Sequence, residues 1–120
     1  MKNLIFALCV VVMFSTSANA IQVYVAGTKL VDMWRECKKC DEGKKCDLQE
    51  AAFYQGYILG IVDHHKVING YAFKLPSNAL AGQLYEVVGK WLDNHPEKWN
   101  EGAIDLVFEA LQAAFPLKKK

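Results

Sequence analysis

Three cysteines stand close together, at Cys37, Cys40 and Cys46, and one histidine pair, His64-His65, follows Asp63. These are the residue types in the chain most able to do chemistry. Cys37-Lys38-Lys39-Cys40 has the C-x-x-C spacing that a thioredoxin-like enzyme carries at a helix start beside a parallel sheet. Its two lysines would lower a neighbouring thiol pKa. Alternatively, three cysteines and one histidine of the pair would make a Cys₃His zinc site. The plainest reading is a structural disulfide closing the loop, Cys37 with Cys46 or Cys40 with Cys46, and spacing does not choose between them. The odd thiol then stays free, pairs with another molecule or binds something.

Context weakens the first two readings. The C-x-x-C follows a helical pattern, and the chain has no sheet pattern beside it. One C-x-x-C plus a lone cysteine falls short of the paired signature of a zinc module. Asp63-His64-His65 has no G-x-S-x-G, H-E-x-x-H or matched carboxylate pair to work with. No catalytic set, metal or cofactor is therefore expected. Asp63, His64, His65 and Lys66 read as an exposed polar helix end suited to contact. The adjacent histidines also titrate near pH 6 to 7 in model conditions, which leaves room for a pH response.

The elements that must position these residues begin after a leader. Met1-Lys2-Asn3 is short and basic, Leu4 to Phe14 is an apolar run of eleven residues, and Ser15 to Ala20 ends in small residues. This is the order of a signal peptide (residues 1–20) cleaved near Ala20. Eleven residues of helix rise only about 16 Å, roughly half a hydrocarbon core. No later run reaches spanning length, so no membrane insertion is expected after cleavage. The remaining 21–120 reads as one domain in an oxidising, periplasmic compartment. Without Lys2 it carries thirteen basic and thirteen acidic residues, a balance that argues against nucleic-acid binding.

Four segments of this domain have helical periodicity, which predicts an all-α, compact four-helix bundle. The first runs from Thr28, a candidate cap, to Glu36, with Leu30, Val31 and Trp34 on one face. Asp47 to Glu50 opens the second as a capping box, and Tyr54, Tyr57, Ile58, Ile61 and Val62 form its stripe. Gly56 and Gly60 cost about 1 kcal/mol each inside a helix, and close packing of another helix there is the expected compensation. The third starts at Leu75-Pro76-Ser77, with Leu80, Leu84, Val87, Val88, Trp91 and Leu92 apolar, and stops at His95-Pro96. The fourth carries Ala103, Leu106, Val107, Ala110, Leu111 and Ala114, and stops at Phe115-Pro116. Val23-Tyr24-Val25 reads as an extended arm. Trp34 and Trp91 are expected in the core, and Trp99, in a polar run, at an interface.

In this order the motifs resemble the Rap/Tai family of type VI secretion immunity proteins. Gly27-Thr28-Lys29-Leu30 through Cys37 is similar to that family's opening helix. Gly56 through Asp63 is similar to its G-Y-I-x-G-V-x-D core, Leu75-Pro76 to its I-P turn, and Gln83 through His95-Pro96-Glu97 to its Q-L…V-V…Y-L…H-P-E run. Ala103 through Phe115-Pro116 matches its closing segment. The family pattern also has cysteines just before G-Y-I, just before the I-P turn and after the final F-P. Here those neighbourhoods hold Phe53-Tyr54-Gln55, Lys74 and Leu117, so the family's disulfide pattern does not carry over. The resemblance implies a non-catalytic, often dimeric periplasmic protein. It would bind a peptidoglycan-amidase toxin and occlude its active-site cleft.

Such an inhibitor needs a rigid scaffold and a protruding contact region. The two helix connections richest in polar and aromatic residues are the candidates: His64 to Lys74, with Asp63 and Lys66, and the turn Asn94, His95, Glu97 and Trp99. Two other function classes compete. One is a periplasmic acid-stress chaperone resembling the Hde type, which the size, helical content and histidine pair allow. The other is a metal- or thiol-handling enzyme built on the three cysteines.

Overall fold

The computed structural model describes residues 24–67 and 72–118. The expected leader and its cleavage site lie outside them. Among the described residues four helices follow one another: α1 (Gly27–Asp41), α2 (Leu48–Val67), α3 (Ala81–Asn94) and α4 (Ala103–Ala114), with a 3-10 turn at Pro96–Lys98 before α4. The main packing pairs are α1 with α2 and α3 with α4.

Helix ends are set by short-range bonds. Asp47 caps α2 as expected: its Oδ1 accepts the N–H of Gln49 at 3.0 Å and of Glu50 at 3.1 Å. The return half of the capping box differs. Glu36 of α1, rather than Glu50, accepts the Asp47 N–H at 2.8 Å, while Glu50 is drawn away to Lys29 at 2.7 Å. α1 does not stop at Glu36 but runs on through Cys37 and Cys40. It ends where Gly43 takes the left-handed conformation (φ 68°) and Lys44 and Gly43 donate to the carbonyls of Lys39 and Cys40 at 2.9 and 3.0 Å. Thr28 is not its cap. The start of α1 is pinned instead by backbone, Gly27 N–H to Glu101 C=O at 2.8 Å and Ala103 N–H to Val25 C=O at 2.9 Å. The short extended arm thus ties α1 to α4. α3 also starts later than Ser77, because Ala79 N–H closes a separate turn onto Pro76 C=O at 3.1 Å and Leu80 C=O takes the first helical bond.

The apolar stripes meet in one core. Leu30, Val31, Met33, Trp34 and Cys37 of α1 face Tyr54, Ile58, Ile61 and Val62 of α2. Leu84, Val88 and Leu92 of α3 and Leu106, Val107, Ala110 and Leu111 of α4 complete it, with Phe73 from the connection. Buried polar tips are paired: Trp34 Nε1 donates to Asp93 Oδ2 at 3.1 Å and Tyr54 Oη to Tyr85 C=O at 2.8 Å. Leu80, expected in the α3 stripe, lies before the helix and is exposed. Close helix packing falls at Gly89, not at Gly56 and Gly60. A Cβ on Gly89 would sit 2.2–2.4 Å from the Trp34 ring, whereas Gly56 and Gly60 face open space.

Candidate functional site

The cysteine cluster resolves into a clip and a buried thiol. Cys40 and Cys46 form a disulfide with Cα atoms 5.3 Å apart, which staples the end of α1 to the approach of α2. Cys37 lies one turn earlier on the core side, 1% exposed and unpaired with another cysteine. Gln55 Nε2 donates to its sulfur at 3.7 Å. Burial pushes the Cys37 thiol pKa up, with Asp41 and Glu86 adding to the rise. A thiolate nucleophile needs the opposite. Cys37 and Cys40 are not joined to each other, and they stand late in a helix with no sheet among the described residues, so the thioredoxin-like geometry is not formed. With Cys40 and Cys46 bonded together, neither offers a thiolate to a metal. Among the described residues no cluster of His, Cys, Asp and Glu is placed to hold one.

The end of α2 separates the candidates that sequence grouped together. Asp63, His64 and Lys66 are exposed, but His65 is 4% exposed. The expectation of a contact role for His65 is corrected here. It lies seven residues after Ile58 and four after Ile61, on the core stripe of the helix. Its ring stacks on Phe73 at 3.8 Å and meets the edge of Phe108 at 5.9 Å. Its Nε2 accepts the N–H groups of Ala72 at 3.2 Å and Phe73 at 3.4 Å. An imidazole that accepts at Nε2 is neutral and carries its proton on Nδ1. Burial holds its pKa below the ordinary histidine value.

His65 therefore latches the returning chain onto α2. Lys74 N–H next bonds Phe115 C=O at 2.9 Å, fastening that chain to the end of α4. A cleft of about 320 Å³ opens between them, lined by Val62, His65, Lys66, Phe73, Lys74, Leu75 and Leu117. Lys74 and Leu117 thus lie along one cleft.

The second group is partly used by the fold. Asn94 and Glu97 are exposed, while His95 and Trp99 are half-buried. His95 stacks on Trp91 at 4.1 Å, with Nδ1 2.7 Å from the Trp91 carbonyl. Trp99 Nε1 donates to Leu92 C=O at 2.9 Å, and the Arg35 guanidinium lies 5.2 Å from its ring centre. The neighbouring Lys98 binds Glu109 at 2.6 Å, which raises its pKa. These contacts cap α3 and hold the turn rigid, leaving Asn94 and Glu97 as its free polar groups.

A third surface was not anticipated. Gly56 and Gly60 expose a shallow apolar face with Tyr57, Ile61, Ile104 and Phe108, about 340 Å³ in its central cleft. Phe53, 53% exposed, extends it. The two glycines were the sequence signal for close approach, but among the described residues nothing packs against them.

No curated protein sequence matches the chain significantly. A family model does: the model described as Rap1a immunity proteins matches residues 26–117, from Ala26, just before α1, to Leu117 on the wall of the Lys66–Lys74 cleft. With all four helices inside that match, the chain belongs to the Rap1a immunity protein family.

Proposed function

We propose that this chain is a periplasmic immunity protein that binds a peptidoglycan-amidase toxin of a type VI secretion system and occludes its active site, with no chemistry of its own. The family match over residues 26–117 carries this reading. The leader-like order of residues 1–20 supports export. Among the described residues no helix is long and apolar enough to cross a membrane. The sole unpaired described cysteine is buried with a raised pKa, which suits a scaffold better than a nucleophile.

Occlusion requires a surface presented without reorganisation. The end of α2 with Lys66 and Lys74, and the turn bearing Asn94 and Glu97, are polar groups mounted on latched backbone. The open Gly56–Gly60 face, apolar and shallow, is the surface we assign to a homodimer contact. The test is a titration of the mature protein, residues 21–120, against peptidoglycan amidases from the same genome, with cell-wall cleavage assayed alongside. Stoichiometric inhibition with nanomolar affinity, about −12 kcal/mol, is the expected result. Cleavage that continues at full rate with every amidase would overturn the proposal.

A further inference from the structure

Charge on this surface is mostly cancelled locally. Lys29, Arg35, Lys38, Lys39, Lys44, Lys90 and Lys98 each have an acidic partner. Among the described residues the lysines without an ion pair are Lys45, Lys66, Lys74 and Lys118. Two of these four line one cleft. Lys66 and Lys74 line the cleft at the end of α2, and Lys118 follows Leu117, which lines it too. Two further lysines, Lys119 and Lys120, come next in the chain.

Among the described residues no acidic one lines this cleft, and its floor is apolar: Val62, Phe73, Leu75 and Leu117, with the neutral His65 ring among them. Another cleft among the described residues offers a contrast. It runs along α1, and Lys29, Arg35, Lys38 and Lys39 there are matched by Asp32, Glu36, Glu42, Asp47 and Glu50. Unlike that cleft, the α2 cleft joins uncompensated positive charge to an apolar floor. Its backbone rim is fastened on both sides, by His65 to Ala72 and Phe73 and by Lys74 to Phe115.

We infer that this cleft receives an acidic anchor from the partner toxin, an Asp or Glu side chain carried next to an aliphatic residue. The carboxylate sits between the Lys66 and Lys74 ammonium groups, and the aliphatic neighbour covers Phe73 and Leu117. The volume, about 320 Å³, is at the lower end of small-molecule sites and holds one or two side chains. A flat anionic bilayer presents its charge to convex surfaces and does not enter a cleft of this shape. The inference rests on the immunity reading for the identity of the partner, but not for the chemistry of the cleft.

The test separates the two. Uniformly ¹⁵N-labelled mature protein is titrated with the blocked peptides Gly-Leu-Glu-Leu-Gly and Gly-Leu-Gln-Leu-Gly. Saturable shifts at the amides of Lys66, Phe73, Lys74 and Leu117 are expected, with the Glu peptide favoured by about tenfold, the scale of two exposed charge pairs. The preference should vanish in Lys66→Glu/Lys74→Glu and in the milder Lys66→Gln/Lys74→Gln, and persist in Lys45→Glu. Equal response to both peptides, or shifts confined to other surfaces, overturns the inference. So does binding to phosphatidylglycerol vesicles that depends on Lys66 and Lys74 without any peptide preference. Against an amidase that the wild type inhibits, the double charge reversal should weaken inhibition by roughly 100-fold and flatten its salt dependence. Full inhibition by that variant refutes the cleft while leaving the immunity reading intact. An absence of any inhibited amidase counts against the immunity reading alone, and the peptides then decide the cleft.

Discussion

Replacing His65 by Phe tests whether the α2 latch is built on a neutral imidazole. Phenylalanine keeps the ring that stacks on Phe73 at 3.8 Å and removes the acceptor for the Ala72 and Phe73 N–H groups. The Ala72 N–H is partly exposed and can turn to water. The Phe73 N–H is buried, and leaving such a donor unpaired costs about 1–3 kcal/mol. We expect a loss of about 2 kcal/mol at pH 7.5, a fall in Tm on the order of 10 °C for a domain of this size. The pH profile is the sharper readout. Burial lowers the folded-state pKa of His65 from 6.5, so the unfolded chain takes up this proton first as pH falls. Its contribution is complete above pH 6.5 and is lost as pH falls through the lower folded-state value. Below that value Nε2 carries a proton and faces two donors. The stability gap between wild type and His65→Phe, measured by urea unfolding from pH 7.5 to pH 5, should therefore narrow on acidification. A gap that stays constant across this range would show that His65 does not hold the segment as a neutral acceptor.

Three further outcomes follow from the packing. Removing the clip with Cys40→Ala/Cys46→Ala should cost roughly 2 kcal/mol, the chain-entropy value for so short a loop, read as a lower urea midpoint with an unchanged slope. Gly89→Ala should be costlier than an ordinary helix glycine replacement, because its Cβ would overlap the Trp34 ring. We expect a loss of about 1–3 kcal/mol, whereas Gly60→Ala, facing open space, should gain up to about 1 kcal/mol from helix propensity; equal effects at the two sites would contradict the packing described. Thiol titration of the oxidised mature protein should find one reactive group, Cys37, and only after denaturation. Rapid labelling of the native protein would contradict its 1% exposure.

The helices, their stripes and most of their ends are written in local sequence. Spacing of Leu30, Val31 and Trp34, or of Leu106, Val107, Ala110 and Leu111, predicts buried faces because helical neighbours lie three or four residues apart. The Asp47 cap and the His95-Pro96 break act within one turn, so they too are legible. The ordered motifs make the immunity family legible from sequence alone. What depends on distant residues was not legible. Gly56 and Gly60 looked like the close-packed glycines, but the tight contact is Gly89 on Trp34, fifty-five positions apart. His65 looked exposed because polarity was given more weight than its register with Ile58 and Ile61, and its partners arrive only when the chain returns. Cys40 rather than Cys37 joins Cys46, because α1 extends past Glu36 and turns Cys37 toward Gln55 and the core. The cleft that gathers Lys66, Lys74 and Leu117 exists only once α2, the returning segment and the end of α4 are packed together. Local bonds determine which residues share a helix face, whereas only tertiary packing decides which faces meet and which charges are left without a partner.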